Sequence, residues 1–547
     1  LGACTDGHDN TAVGFEALSA NVSADTCTAI GSKSQKSNTG GASNTSVGKM
    51  ALYSCATGDA NTAAGHDAGY HTLGSSNVAV GMNSAYYGTT TDDCIAIGRN
   101  ALLGASGNTT GNQNIAIGSY SLDAATTATE NVAIGAYAGS AINSGNYNVL
   151  IGKNTGDAIT TGVGNTAVGR AALNVTDDGQ YNVAMGYAAL ANGNCGDNNV
   201  AIGKEALIDY TGASATVVGY KAAEAATSAA TLTAVGANAA GSVTEGDDNT
   251  AFGSNALISC VTGAQNTALG SSAARALTGN SNVMVGMNAG YWATTVDHTV
   301  AIGRDALLGG SGAGNVTGDH NVAIGNYTLD AATTAHSNTA VGYHAASALT
   351  TGNYLTAVGR QAGNAIVDGE QCTAIGYNAL AADAANYNTA VGAGSLSSCT
   401  GTENTAVGQA AGNGMTSGSQ NVAIGYASLD AAVTGSYNVA AGVMSAGQIT
   451  SGQYNVAIGS SALSASTTNS DNTAIGHNAL ANVAAGDNTA IGSRAMKYST
   501  SAASNVAIGR NALGGDGTTA PTGDYNVAVG NFTLDAATTG HSNVALG

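Results

Sequence analysis

The sequence predicts an all-β chain, a parallel β-solenoid of about 32 coils, and three observations predict it. The string Asn-Thr/Val-Ala-Val/Ile-Gly recurs from one end of the 547 residues to the other. The glycines that close it, from Gly14 to Gly547, are 32, and 22 of the 31 intervals between them are 17 residues long. β-Branched residues stand at alternate positions just before each glycine, the period of a strand.

Each part of the unit has its own chemistry. The residue before the anchor glycine is Val or Ile in 26 of 32 copies, and the one before that is Ala in 28. Three or four residues are too few for a helix, and a fixed glycine breaks one. The glycine, as at Gly14, Gly135, Gly325 and Gly459, reads as a corner that needs positive φ or close backbone approach. A second apolar stretch such as Ala101-Leu102 or Ala256-Leu257 follows and reads as a second short strand. A Thr/Ser/Gly/Asn segment then supplies an outer turn. Four before the anchor, Asn fills 25 of 32 positions, among them Asn10, Asn131, Asn321 and Asn455. Asn stacked on Asn can form a hydrogen-bonded ladder. A 17-residue unit is too short for helix-pair repeats and suits one coil. A coil cannot cover its own apolar face, so stacking supplies the cover, with coils about 4.8 Å apart.

A longer period lies over the short one. Three intervals of 20 to 22 residues begin at Gly98, Gly303 and Gly509, and related sequence flanks each. The chain divides on this basis into a partial module at 1–98, full modules at 99–303 and 304–509, and a partial module at 510–547, all in one continuous solenoid. The long segments, 104–113, 309–320 and 514–525, are expected to project as loops, with Asn108, Asn315 and Pro521 as candidate partner contacts.

Composition excludes several functions. Charged residues are 9% against roughly 25% in ordinary domains. The net charge is −20 with only 14 Lys and Arg, so no basic footprint for nucleic acid exists. No apolar run reaches the roughly 18 residues of a membrane span. Eight cysteines form no CxxC pair, and no two occupy the same position in adjacent coils, so neither zinc nor disulfides between neighbouring coils are expected. Nine scattered His form no His-Glu-x-x-His or Ser/His/Asp set, and no cofactor or enzyme is expected. The Gly-Gly-x-Gly-x-Asp calcium pattern is absent. Tyr147, Tyr181, Tyr387, Tyr437, Tyr454 and Tyr525 share one column just before the Asn. They could stack on sugars, but cover of a coil edge or chain interface is the plainer reading. Thr alternates with Val too irregularly for the Thr-x-Thr ranks of ice-binding solenoids. The first residues already belong to a repeat and Gly547 completes one, so the chain is expected to be a mature or partial window on a longer one.

The Asn-Thr/Val-Ala-Ile/Val-Gly unit resembles the head repeat of trimeric autotransporter adhesins, the YadA-like head, and similar repeats occur in phage tail fibres. The likeness runs over residues 10–547. It implies a left-handed parallel β-roll, three identical chains about one axis, and a role in surface attachment.

Strand alternation puts the bulky Val/Ile and the small Ala on opposite faces. The bulky face is expected to fill the coil, and Ala12, Ala133, Ala323 and Ala457 to approach the other two chains of a homotrimer. The function expected is that of a non-enzymatic extracellular fibre or adhesin. Surface glycans or host receptors are its candidate partners, and a phage tail-fibre shaft and a polymerising filament are the alternatives.

Overall fold

A computed structural model describes residues 4–105, 109–309, 315–515 and 521–547. The described residues contain β-strands, bends and turns and no helix. They form two compact units, 1–271 and 272–547. The first holds 16 three-residue strands, from β1 (Thr11–Val13) to β16 (Thr267–Leu269), and the second holds another 16, from β17 (Val283–Val285) to β32 (Val544–Leu546). Within each unit every strand pairs in parallel with the next, Ala opposite Ala and anchor beside anchor, as in Thr11↔Thr28, Ala12↔Ala29 and Val13↔Ile30. Each unit is a β-solenoid with one coil per repeat.

The anchor glycine is required twice over. Gly135 has φ +141°, and a Cβ there would overlap the carbonyl of Gly152 in the next coil. Gly14, Gly325 and Gly459 adopt φ of +136°, +134° and +127° and abut the next anchor in the same way. Any side chain would push successive coils apart at the corner.

The segment after the corner is not a second strand. It is a continuous turn in which the second and fourth residues past the anchor are left-handed, as at Tyr120 (φ 61°) and Leu122 (φ 49°). The fifth residue before each anchor is left-handed too, including Tyr147 (φ 61°) and Tyr437 (φ 63°). Each such non-glycine residue costs on the order of 1 kcal/mol. Hydrogen bonds to neighbouring coils offset the cost, as in Leu122 N–H to Ala138 O at 3.0 Å and Tyr120 N–H to Arg99 O at 3.0 Å. Short sequence gives no room for a helix here, but alternate burial does not by itself make a strand.

The two faces of the strand are the reverse of the sequence expectation. Ala133, Ala323 and Ala457 are 0% exposed, inside the coil of their own chain, and the Val/Ile beside them faces out. Ala12, in the first coil, is half-buried against the same core as Leu18 and Ala29. Ala133, Ala323 and Ala457 thus face the interior of their own coil and not a partner chain. The reason is width. The coil closes over two thin layers, Ala from the strand and Leu or Ala from the turn; a single Val fits at Val217, where the turn of its own coil carries Ala223, but a full row of Val and Ile would overfill it.

The exceptions to the Ala column show how narrow the space is. Leu150 takes an Ala position, and its flanking turns carry Gly139 and Gly156 where most coils carry Leu or Ala. A Cβ on Gly156 would stand 2.9 Å from Leu150 Cδ2, and one on Gly139 would stand 2.8 Å from Leu150 Cδ1. Met284 pairs with Gly290 likewise, at 2.6 Å from its Sδ. Ser46 instead sits in a polar patch, accepting a hydrogen bond from Gln35 Nε2 at 2.8 Å.

This compensation gives the first prediction. Leu150→Ala should cost about 2–5 kcal/mol by leaving a cavity. Gly156→Leu alone should cost about 1–3 kcal/mol by overpacking. The double variant restores the common Ala/Leu arrangement and should recover at least half the sum. Denaturant unfolding of the three proteins would show it, and strict additivity would refute the size coupling.

Candidate functional site: the outward sheet face and its edges

The alternation that buries Ala turns two columns of β-branched side chains outward. The residue before each anchor is the more exposed, with Ile134 at 36%, Phe252 at 52% and Ile458 at 41%. The Thr, Val or Ile two residues earlier is half-buried in most coils, as at Val132, Thr166 and Val456. Parallel sheets are ordinarily covered on both faces. Here each unit covers one face and leaves on the other a continuous apolar strip of the kind that marks an interaction surface.

The two edges of this strip differ in charge. All 14 Lys and Arg fall within five residues after an anchor glycine, along one edge. Several lie over rings: Arg99 over Tyr120 at 5.2 Å, Arg304 over Tyr327 at 4.8 Å, and Lys204 between Tyr187 and Tyr220 at 6.0 and 5.6 Å. Carboxylates gather along the other edge, in the outer turn, as at Asp92-Asp93, Asp247-Asp248 and Asp297.

Asn residues four before the anchor form a buried ladder. Asn131 Nδ2 donates to Asn114 Oδ1 at 3.1 Å and to Gly145 O at 2.9 Å, and Asn131 Oδ1 accepts from Asn148 N–H at 3.0 Å. Asn455 donates through Nδ2 to Asn438 Oδ1 at 2.9 Å. Asn10 accepts from Cys27 N–H at 2.9 Å, and Asn321 accepts from Asn338 Nδ2 at 3.1 Å. The Asn131 side chain thus ties three coils.

A second ladder was not read from the sequence. Six before the anchor, a side-chain oxygen accepts the N–H of the same position in the preceding coil: Asp25 from His8, Asp92 from Ser75, Asn146 from Thr129 and Asn353 from His336, at 2.6 to 2.8 Å. Its sequence signal is an Asp/Asn/Ser-rich column. These acids serve the backbone, and among the described residues no three His, Cys, Asp or Glu converge as metal ligands.

Thr109 and Val316 are buried and bridge to Gly88 and Ala293, so in the first two long segments the chain rejoins the stack before the segment ends. Asn108 lies outside the described residues. Asn315 is exposed, as a contact residue must be. Pro521 is buried, which removes it as a contact, since its ring packs inward where the coil resumes. The Tyr column is exposed, with Tyr437 stacked on Tyr454 at 4.9 Å, and it also includes Tyr354, beside which Leu355 replaces the usual Asn. Neither a scan against protein-family models nor a search of curated proteins returns a match to this chain. Among the described residues no helix is long and apolar enough to cross a membrane.

All eight cysteines are free, and all but Cys4 are buried. Burial pushes the thiols of Cys55, Cys260 and Cys399 up to about 11. The thiolate is the reactive form. Iodoacetamide at neutral pH should therefore label Cys4 in the native protein and leave the other seven until unfolding. Peptide mass spectrometry showing fast native labelling of Cys55 or Cys260 would contradict the buried placement.

Asp123 and Asp330 hold equivalent places in the two modules, five residues past Gly118 and Gly325. The Oδ1 of each is buried without a hydrogen-bond partner, and burial raises each carboxyl to about 6. A carboxyl that binds its proton more tightly when folded loses stability as pH rises from its unfolded value, about 4, through 6. Replacing both by Asn should raise the melting temperature at pH 7.5 and leave it nearly unchanged at pH 4. Equal shifts at both pH values would refute the assignment.

Proposed function

We propose that this chain is a non-enzymatic structural fibre, an adhesin-like shaft that projects from a surface and works as a homotrimer. The observation that carries the reading is the outward strip of Val, Ile and Thr that neither unit covers. Three copies in parallel about one axis would bury it, each basic edge meeting the acidic edge of its neighbour. That contact is heterologous and closes into a ring. The contact columns are then the Val/Ile before each anchor and the Thr/Val two earlier, rather than the alanines. The resemblance to the YadA-like head supports the same count of chains and an extracellular, surface-attachment role. The shaft of a phage tail fibre would use the same surface, and a polymerising filament is the further alternative.

Assembly is directly testable. Native mass spectrometry should give three times the 52.8 kDa chain mass. Ile134→Lys, Ile151→Lys and Met185→Lys together place three outward charges within four successive coils of the strip. They should release monomers whose β circular dichroism is unchanged. A monomeric parent would sink the trimer, and masses that grow with concentration would favour the filament.

A further inference from the structure

The turn edge of the first unit carries an aromatic cluster unlike the rest of the surface. Tyr53, Tyr70 and Tyr86, each five residues past its anchor, stack with centroids 4.8 and 5.0 Å apart. Tyr87 meets Tyr86 nearly at right angles, at 4.7 Å and 75°. Asp67, Asn83 and Leu103 complete a pocket with a volume of ≈ 290 Å³ around Tyr86 and Tyr87. Asp67 Oδ2 lies 3.1 Å from His66 Nδ1, but its Oδ1 is buried and has no hydrogen-bond partner. Two rings set at a right angle beside a carboxylate with one oxygen unpartnered are the parts of a cation cage.

The chain shows what fills such places elsewhere. Lys36 sits 2.8 Å from Glu16, which is two residues past its anchor like Asp67, and 5.9 Å from the Tyr53 ring. The tandem counterparts of Tyr86 and Tyr87 are Tyr291 and Trp292, and Arg275 covers Tyr291 at 5.2 Å. In the third copy Lys497 covers Tyr498 at 4.6 Å. Among the described residues no Lys or Arg covers Tyr86 or Tyr87. The counterpart of Asp67 is Ser272, so only the first copy combines the carboxylate with uncapped rings.

We infer that the Asp67/Tyr86/Tyr87 pocket binds a small organic ammonium ion, supplied from outside where the other copies supply their own cation. The carboxylate answers the charge, the two rings present their negative faces, and Leu103 contacts the alkyl groups. A quaternary or alkylated ammonium suits this better than a sugar, since one face of Tyr86 is already taken by Tyr70 and one face of Tyr87 by His71, at 5.8 Å, which leaves a single free face on each ring.

Saturation-transfer NMR on the full chain tests it with choline against its neutral isostere, 3,3-dimethyl-1-butanol. Choline should bind with Kd on the order of 1 mM and the alcohol should not. Asp67→Asn should weaken choline about tenfold or more. Asp67→Ser, which copies the second module, should do the same, and Tyr86→Leu should weaken it several-fold, with melting curves as the folding control. Two carboxylate variants guard against one that misfolds. Equal binding of choline and the alcohol, no choline signal at about 20 mM, or full binding by both Asp67 variants would overturn the proposal. Flotation with phosphatidylcholine vesicles separates the sources. Flotation lost in Asp67→Asn assigns a lipid headgroup, and choline binding without flotation assigns the free ion.

Discussion

Everything in this fold depends on the thinness of the coil. Strand and turn lie so close that their interior holds one Ala against one Leu, and where Leu150 or Met284 stands in the strand, the turn must give up its side chain at Gly156 or Gly290. With so little apolar volume per coil, stability cannot come from a broad core. It comes from repetition: two side-chain ladders, the Asn column and the Asx/Ser column, each make one more set of hydrogen bonds for every coil added. Backbone hydrogen bonds between coils hold in place three left-handed residues per coil, which would not be stable in an isolated segment.

The outward face follows from the inward one. Side chains too large for the interior must point away from it, and Val and Ile are kept at those places because they favour the strand. The result is a hydrophobic strip bounded by a cationic, ring-bearing edge and an acidic one. A polar strip would serve a solitary solenoid equally well, which is why the assembly reading rests on this surface. The aromatic pocket beside Tyr86 is separate from it. It belongs to the turn edge, where each tandem copy repeats the aromatic position and varies the cation.

The repeat, the period and the absence of helix were legible in the residues because spacing and alternation are local properties. So were the anchor glycine and the Asn ladder, each a single residue type with few physical reasons to recur. The second strand was misread. Ala101-Leu102 is apolar and buried, but left-handed backbone at Asn100 and Leu102 makes it a turn, and handedness leaves no mark in hydropathy. Pro521 was misread because a long interval looks like a loop even where the chain has already rejoined the coil.

Sequence alone determined that Val/Ile and Ala stand on opposite faces of one strand, since side chains in a strand alternate. It did not determine which face is inside. That was decided by the distance between strand and turn in the closed coil, a tertiary quantity, and the distance admits Ala133 and excludes Ile134. Alternation has no sign until a second layer is placed against it.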